Sequence, residues 1–301
     1  MAETAELNLA SLAQTDVSVP LPKSLLYQAL SSPPFITLPG TFNTRDLGLV
    51  PGSPIRPGKF FRSGGFFMTG PNLPEEAKSV LSEKLKIKKV FDLRSVREHE
   101  KSPDPADMGQ GVEVVWTEPA ELDATVDIKD FVEGEGEEGY KKMYLDVLRV
   151  YCDAIKKVLE YVRDMDVDEE QGGMVFHCTA GRDRTGVMAG ILLTIAGAKE
   201  DVVALDLLLS RIGTEPAREQ LLAFALKGSF AESMDAPGFH NLASLRASCW
   251  AAFIKAAEEE HGGLEGYVKR HLGFSEGEVE RIRANLVGEV KNERVGNVEV
   301  L

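Results

Sequence analysis

Residues 177–186 combine a cysteine, arginines and threonines in a spacing that could carry nucleophilic chemistry at a phosphate ester. The run reads His-Cys-Thr-Ala-Gly-Arg-Asp-Arg-Thr-Gly, with five residues between Cys178 and Arg184. A cysteine thiolate is a strong nucleophile. The planar guanidinium of arginine can hold two phosphoryl oxygens at once and does not lose its charge. The spacing therefore predicts Cys178 as a nucleophile and Arg184 as a ligand of the phosphoryl group.

The segments on either side of this run predict a strand, a tight loop and a buried helix. Residues 174–176 are a short apolar run, and residues 185–198 are almost wholly apolar with helical spacing. A helix N-terminus presents free N–H groups and the positive end of the helix dipole, which bind anions and favour a cysteine thiolate. The sequence therefore predicts a loop that cradles phosphate.

The other residues of the loop have separate predicted roles. Gly181 allows a tight turn, and the Thr185 hydroxyl is expected to donate to the Cys178 sulfur and ease its departure. Arg182 is expected to widen the positive field around the substrate, with a solvated side chain of little effect as the alternative. The predicted phosphate-binding set is Thr179, Ala180, Gly181, Arg182, Asp183 and Arg184.

The leaving oxygen of a phosphate ester needs a proton donor, and two aspartates compete for this role. Asp183 lies in the loop itself, with a structural ion pair to Arg62 or Arg45 as the alternative. Asp92 lies near the end of a strand predicted over residues 87–93, with helix capping or loop anchoring as the alternative. The sequence leaves both candidates open.

The loop resembles the signature of the cysteine-dependent protein tyrosine phosphatases, which is His-Cys, five residues, Arg, then Ser or Thr. Its continuation through Asp183 to Gly186 is similar to that of the atypical tyrosine/serine phosphatases of bacteria and fungi, a family with a triple-specificity mycobacterial member. Arg182 departs from the lysine that is usual in this family. Further landmarks follow in the family order, so that the resemblance covers about residues 35–288: 43–48, 56–64, 91–95 with Glu98, and 266–275.

The resemblance implies an α/β fold of the protein tyrosine phosphatase type, with a central, mostly parallel sheet flanked by helices. We expect one catalytic domain over residues 39–301 after an N-terminal arm of residues 1–38. The implied reaction is hydrolysis of phosphomonoesters through a cysteinyl-phosphate, without cofactor or metal. Phosphotyrosine in proteins is the expected substrate, with phosphoserine and phosphothreonine. The alternatives are a phosphoinositide or inositol-phosphate phosphatase and, from another class, an inactive phosphate-binding module.

The composition limits the partners and the compartment. The chain has 301 residues and a formal net charge of −14, which argues against nucleic acid or anionic membranes bound through a basic surface. No apolar run approaches 18 residues and the N-terminus lacks a signal pattern. We therefore expect no integral membrane association and a cytoplasmic location.

The remaining cysteines and the histidine beside Cys178 have less specific predictions. Cys152 and Cys249 form no paired pattern, which suits a reducing compartment, and each is expected to be a buried core residue or a bystander. His177 either tunes the Cys178 thiolate or only holds the loop from the core.

Periodicity predicts the elements between the sheet and the loop. Residues 112–116 alternate as a strand, and residues 118–139, which include the acidic run 133–138, are expected to be an exposed loop. Residues 143–162 predict one long amphipathic helix.

The last third of the chain predicts mostly helix. Ser275 and Glu278 have the spacing of a capping box before a final helix. Residues 228–240, with Phe230, Met234, Pro237 and Phe239, predict either a mobile apolar lid or a packed connection.

Overall fold

The computed structural model describes residues 7–66, 70–121, 123–124, 126–165, 172–229 and 231–288. Within these ranges the five strands are β1 Arg45–Asp46, β2 Phe60–Ser63, β3 Lys89–Asp92, β4 Glu113–Trp116 and β5 Met174–His177. The helices are α1 Leu9–Ala13, α2 Lys23–Leu30, α3 Glu75–Ser79, α4 Val96–Lys101, α5 Glu137–Val150, α6 Cys152–Asp164, α7 Asp183–Ile195, α8 Glu200–Gly213, α9 Arg218–Gly228, α10 Phe239–Ala243, α11 Ala247–His261, α12 Gly263–Arg270 and α13 Glu276–Val287. None of these helices has the length and apolar character needed to span a bilayer.

The strands form one sheet in the order β1, β2, β5, β3, β4. β1 pairs antiparallel with β2, and the other neighbours pair in parallel. The carboxyl ends of β2, β5, β3 and β4 therefore lie at the same edge of the sheet, where ligands of open α/β sheets bind. The mostly parallel sheet flanked by helices confirms the predicted fold class.

Each face of the sheet is covered by an apolar layer. Successive side chains of a strand point to opposite faces, so that neighbouring residues such as Phe60 and Phe61 enter different core clusters. The cluster that contains Phe60 is continuous with helices α5, α6, α7 and α11 to α13, whereas α3 packs on the opposite face. The strands are thus buried on both sides, which keeps the carboxyl edge in place.

Two predicted boundaries around α5 were wrong. The acidic run was expected to be loop, but α5 already begins at Glu137, because Gly136 adopts a φ of 91° at the helix start and acidic residues favour the first turn of a helix. The helix predicted over residues 143–162 is divided at Tyr151, whose φ of −104° and ψ of 20° depart from the α-helix. The Tyr151 side chain is buried against the loop that follows β5.

The N-terminal segment is tied to α8. Its apolar residues share a core cluster with that helix, and Arg211 donates to the carbonyl oxygens of Thr15 and Val19 at 3.0 and 2.7 Å. The carboxylate of Glu215 accepts from the N–H of Leu21 at 2.8 Å. The division into an arm and one catalytic domain stays a prediction, but residues 7–30 pack on the fold rather than extend from it.

Candidate active site

The predicted strand, loop and helix are present around Cys178. β5 ends at His177 and α7 begins at Asp183, so that residues 178–182 form the turn between them. The Cys178 side chain lies at the floor of this turn and is 2% exposed. The structure thus brings Cys178, Arg184 and Thr185 to the carboxyl edge of the sheet.

Carbonyl groups of the loop are held by donors from outside it. The Nδ2 atom of Asn43 donates to the carbonyl oxygens of Ala180 and Gly181 at 3.2 and 2.9 Å. The N–H of Gly65 donates to the carbonyl of Thr179 at 3.1 Å. These bonds hold the carbonyl groups of the loop towards the segment before β1 and the segment after β2.

Arg62, on β2, is a further donor to the carbonyl groups of the loop. Its Nη2 atom donates to the carbonyl oxygens of Gly181 and Arg182 at 2.8 and 3.3 Å. The same guanidinium contacts Asp206 on α8, which also accepts from Nε of Arg45 at 2.8 Å. Although burial opposes ionisation, the two guanidinium groups hold the pKa of Asp206 below its usual range. Two buried arginines and one aspartate leave net positive charge beneath the loop.

The N–H groups of the loop face the opposite way. In a planar trans peptide the C=O of one residue and the N–H of the next point in opposite directions. Among the described residues, none of the N–H groups of residues 179–182 donates a backbone hydrogen bond. Free N–H groups on one side of a turn at a helix N-terminus form an anion-binding nest. The arrangement is suited to the equatorial oxygens of a phosphoryl group.

Gly181 is required by this turn. Its φ is 62°, a conformation that residues with a Cβ rarely adopt, and a Cβ there would lie 2.3 Å from the carbonyl oxygen of Ser63. The close approach of the loop to the end of β2 therefore depends on the missing side chain.

Arg184 is fixed by Glu98. Its Nη2 atom donates to Oε1 of Glu98 at 2.9 Å, and its Nη1 atom donates to Oε2. Glu98 also accepts from the hydroxyl of Thr179 and, in a capping box at the start of α4, from the N–H of Ser95 at 3.0 Å. Burial opposes ionisation of Glu98, but Arg184 and these donors hold its pKa well below the usual range. An ionised carboxylate thus sets the direction of the Arg184 fork.

Tyr151 forms the second wall beside Arg184. The guanidinium carbon lies 5.5 Å from the centre of the Tyr151 ring, and Nη1 donates to the tyrosine hydroxyl at 3.3 Å. That hydroxyl donates in turn to Oδ1 of Asp123 at 2.5 Å. Asp123 lies in the segment after β4 and is exposed.

Asp183 remains in the loop but does not form the ion pair considered from the sequence. Arg62 and Arg45 contact Asp206 instead. The Asp183 carboxylate accepts from the hydroxyl of Tyr144 at 3.0 Å and from Nε of Arg182 at 3.1 Å.

Asp92 is enclosed in an ion-pair network beside the loop. Nε and Nη2 of Arg94 each donate to its carboxylate at 2.8 Å, and Nδ1 of His99 lies 2.9 Å from Oδ2. Burial opposes ionisation, but His177 and Arg94 lower the pKa of Asp92 to about 2. These contacts favour the loop-anchoring alternative for Asp92.

Arg182 points its guanidinium at the end of α10. Nη1 donates to the carbonyl of Ala243 at 2.8 Å, Nη2 to the carbonyl of Leu242 at 3.0 Å, and Nε to Asp183. All three nitrogens of the side chain have protein acceptors. This geometry does not support the expectation that the Arg182 guanidinium widens the positive field for the substrate.

His177 is held by the core. It is fully buried, its Nε2 lies 2.8 Å from Oδ2 of Asp104, and its ring packs edge-on against Phe66. Burial lowers its pKa, but the carboxylates of Asp104 and Asp92 outweigh burial and raise it. The contacts favour the interpretation that His177 holds the loop.

The network of Asp92, Asp104 and His177 contains the donor atoms of a metal site, but these atoms are already bound by protein groups. Asp92, Asp104 and His177 each place one donor atom within 4.8 Å of the others. The guanidinium of Arg94 already bridges the two carboxylates, at 2.8 and 2.9 Å. The cluster is therefore charge-balanced by protein groups.

The hydroxyl of Thr185 is buried and has no hydrogen-bond partner among the described residues. The predicted bond from this hydroxyl to the Cys178 sulfur is therefore not formed in this structure. The other two cysteines lie outside the site, with burial raising the pKa of Cys152 and raising that of Cys249 to about 11.

The segment over residues 228–240 is described only in part. Phe239 is buried at the start of α10, whereas Met234 is exposed. Phe230, named in the lid prediction, lies outside the described residues. The lid and the packed connection both stay predictions.

Four residues of the site were given no role from the sequence: Asn43, Asp206, Glu98 and Tyr151. Asp206 carried a usable signal, because it interrupts the apolar stripe of α8, and a buried carboxylate needs a charged partner. The bond from Asn43 to Gly181 and the bond from Arg184 to Tyr151 join residues more than 30 positions apart and have no local pattern.

A mostly parallel sheet with an anion-binding loop between its central strand and a buried helix is the fold of the protein tyrosine phosphatases. The chain belongs to the tyrosine phosphatase family, whose model matches residues 36–288. It is 29% identical over 208 residues to a tyrosine-protein phosphatase of Nostoc commune, covering 67% of each chain. It is 26% identical over 279 residues to the triple specificity protein phosphatase PtpB of Mycobacterium tuberculosis, covering 83% of this chain and 98% of the relative. The protein is therefore a phosphatase.

Proposed function

We propose that the protein hydrolyses phosphotyrosine in proteins by way of a cysteinyl-phosphate on Cys178, in the cytoplasm. The observation that carries the proposal is the loop over residues 179–182, whose carbonyl groups are bound from outside while its N–H groups are left for an anion. The family of the chain supports phosphoprotein substrates. The name of the triple specificity relative supports phosphoserine and phosphothreonine as further substrates.

In the first step, the Cys178 sulfur attacks phosphorus in line with the leaving oxygen. The S–P bond forms as the P–O bond breaks, and the electron pair of that bond stays on the leaving oxygen, which takes a proton from an acid. Arg184 and the loop amides hold the three equatorial oxygens as charge spreads over them. In the second step water attacks phosphorus, and the thiolate departs as phosphate is released.

Thr185 and the acid complete the proposal. The Thr185 hydroxyl is expected to donate to the departing sulfur, a bond that would satisfy its buried oxygen. Of the two acids considered from the sequence, Asp183 is partly exposed, whereas Asp92 is 1% exposed and shut off from a substrate.

The alternative substrate, a phosphoinositide, loses its one supporting feature. An extra cation beside the phosphate would favour a multiply phosphorylated substrate, but the guanidinium of Arg182, the candidate for that role, binds the carbonyl oxygens of Leu242 and Ala243. We therefore place phosphoproteins first.

Phosphate release without added metal tests the proposal, with a phosphotyrosine peptide, a phosphoserine peptide and a phosphoinositide panel as substrates. Cys178→Ser should abolish turnover, whereas Cys249→Ser, a matched change at a buried thiol in α11, should leave kcat within about twofold. Equal turnover by wild type and Cys178→Ser would contradict the thiolate mechanism. Binding of phosphopeptide without release of phosphate by the wild type would instead indicate an inactive binding module.

A further inference from the structure

A third aspartate, Asp123, is connected to Arg184, the predicted ligand of the phosphoryl group, although the two residues are far apart in the sequence. Asp123 follows β4, 55 positions before Cys178, and its segment leaves the same carboxyl edge of the sheet as the loop. Two hydrogen bonds connect it to the guanidinium: Nη1 of Arg184 donates to the Tyr151 hydroxyl, and that hydroxyl donates to Asp123.

We propose that Asp123 is the general acid of the first step and the general base of the second. This inference rests on the proposed function. The Asp123 carboxyl gives its proton to the leaving oxygen as the P–O bond breaks. The resulting carboxylate then takes a proton from the water that attacks the cysteinyl-phosphate, which restores the acid.

The direction of attack favours a donor on the solvent side. Displacement at phosphorus is in line, so that the leaving oxygen lies opposite the attacking sulfur. Cys178 is 2% exposed at the floor of the loop, and the leaving oxygen therefore faces out of the site. Asp123 is exposed, and the Tyr151 hydroxyl connects it to Nη1 of Arg184.

The bonds of Asp123 leave one oxygen for the proton. Its Oδ1 accepts from the Tyr151 hydroxyl at 2.5 Å and from the N–H of Ala124 at 2.8 Å. Within the described ranges no donor contacts Oδ2. These two bonds hold the carboxyl group beside Tyr151 and leave Oδ2 as the atom that carries the transferred proton.

The other two aspartates are engaged in fixing the fold. Asp92 is fully enclosed by Arg94 and His99. Asp183 is bound by Tyr144 and Arg182, which connects the loop to α5 and to the end of α10. We accordingly assign Asp183 as a positioning residue.

Charged groups lie beyond the Tyr151 hydroxyl and on the segment that carries Asp123. Arg184 and its partner Glu98 lie beyond the Tyr151 hydroxyl, and burial raises the pKa of Tyr151 so that it stays a neutral donor at physiological pH. On the same segment Glu121 pairs with Arg149 on α5. Glu121 therefore provides a matched carboxylate that does not touch the Arg184 fork.

The test compares aryl phosphates whose phenols differ in acidity. Asp123→Asn should lower kcat/KM on phenyl phosphate by about 100-fold or more, because the poor leaving group needs the proton. On dinitrophenyl phosphate, whose phenolate leaves unaided, the loss should be no more than about 10-fold. The alkaline limb of the wild-type pH profile should disappear in the variant, and Glu121→Gln should match the wild type throughout.

Three results would overturn the assignment: equal loss on both esters, wild-type rates with phenyl phosphate, or the leaving-group dependence appearing in Asp183→Asn instead. If thermal denaturation shows that Asp123→Asn folds poorly, Tyr151→Phe replaces it. That variant keeps the ring beside Arg184 but loses the hydroxyl that holds Asp123, and it should show a smaller loss with the same dependence on the leaving group. If Asp123→Asn has normal activity while Cys178→Ser is inactive, only the role of Asp123 as the acid is rejected. If the wild type is inactive, both proposals are rejected.

Discussion

The carboxylate of Glu98 binds both terminal nitrogens of Arg184 while it caps the helix on which it lies, with a distance of 2.9 Å from Nη2 to Oε1. One side chain thus joins the start of α4 to the phosphate ligand of the loop. Because the fork of Arg184 must face the phosphoryl oxygens, its alignment depends on a residue 86 positions away.

Glu98→Gln should lower kcat/KM with a phosphotyrosine peptide by about 10- to 100-fold, because an amide cannot accept two charge-assisted bonds from Arg184. Glu278→Gln is the matched control, since Glu278 forms the same kind of capping box with Ser275 on α13, far along the chain from the loop. Its kcat/KM should stay at the wild-type value. Similar activity losses in both variants would show that the effect is one of stability alone.

Asn43→Ala should weaken binding of inorganic phosphate, measured as product inhibition, by about 10-fold or more, because the carbonyl groups of Ala180 and Gly181 lose their donor. Asn285 provides a control of the same residue type, as its Nδ2 donates to three carbonyl groups at the end of α6, including those of Val162 and Met165. Asn285→Ala should lower the free energy of unfolding without changing the inhibition constant of the folded enzyme.

Gly181→Ala should abolish turnover, because the added Cβ would meet the carbonyl oxygen of Ser63 at 2.3 Å and force the loop away from β2. Gly197→Ala separates this clash from backbone strain, since Gly197 also has a positive φ, of 84°, but its Cβ would have open space around it. The control should cost about 1 kcal/mol of stability and keep wild-type kcat. Equal kcat in the two variants would contradict the close-approach argument.

Acid should unfold the protein partly through Asp92. Its pKa is about 2 in the folded chain and 3.8 as the ordinary value. A lowered folded-state pKa contributes stability above the unfolded value, and that stability is lost as pH falls from about 4 towards 2. Chemical denaturation at pH 2.5 to 6 should show a steep decline in the wild type and a shallower one in Asp92→Asn. Parallel curves would show that His177 and Arg94 do not stabilise the ionised form of Asp92.

The sequence predicted the parts of the site that are contiguous and missed those that are not. The strand, the loop and the buried helix around Cys178 follow from apolar runs and from the glycine at the turn, since these features act within a few residues. The contacts of Glu98, Asn43 and Asp206 depend on how the strands are ordered in the sheet, which periodicity does not record. Arg182 shows the same limit, because its charge was visible but the carbonyl groups at the end of α10 were not.

The wrong prediction of a single helix over residues 143–162 has a related cause. Side-chain spacing predicts where apolar residues face, and that spacing continues through Tyr151, so a single helix was the natural expectation. The backbone departs from the helix at Tyr151 alone, and the spacing of the buried residues continues across that position.

Helix α8 connects the N-terminal segment to the loop. One face carries Asp206, which holds the arginines beneath the loop, and another carries Leu209 and Ile212, which pack against residues of α1 and α2. Deleting residues 7–30 for crystallisation or expression would bare an apolar surface on the helix that anchors the catalytic loop. A shortened form of this enzyme would therefore be a poor substitute for the full chain in inhibitor screening, even though the deletion removes no residue that touches phosphate.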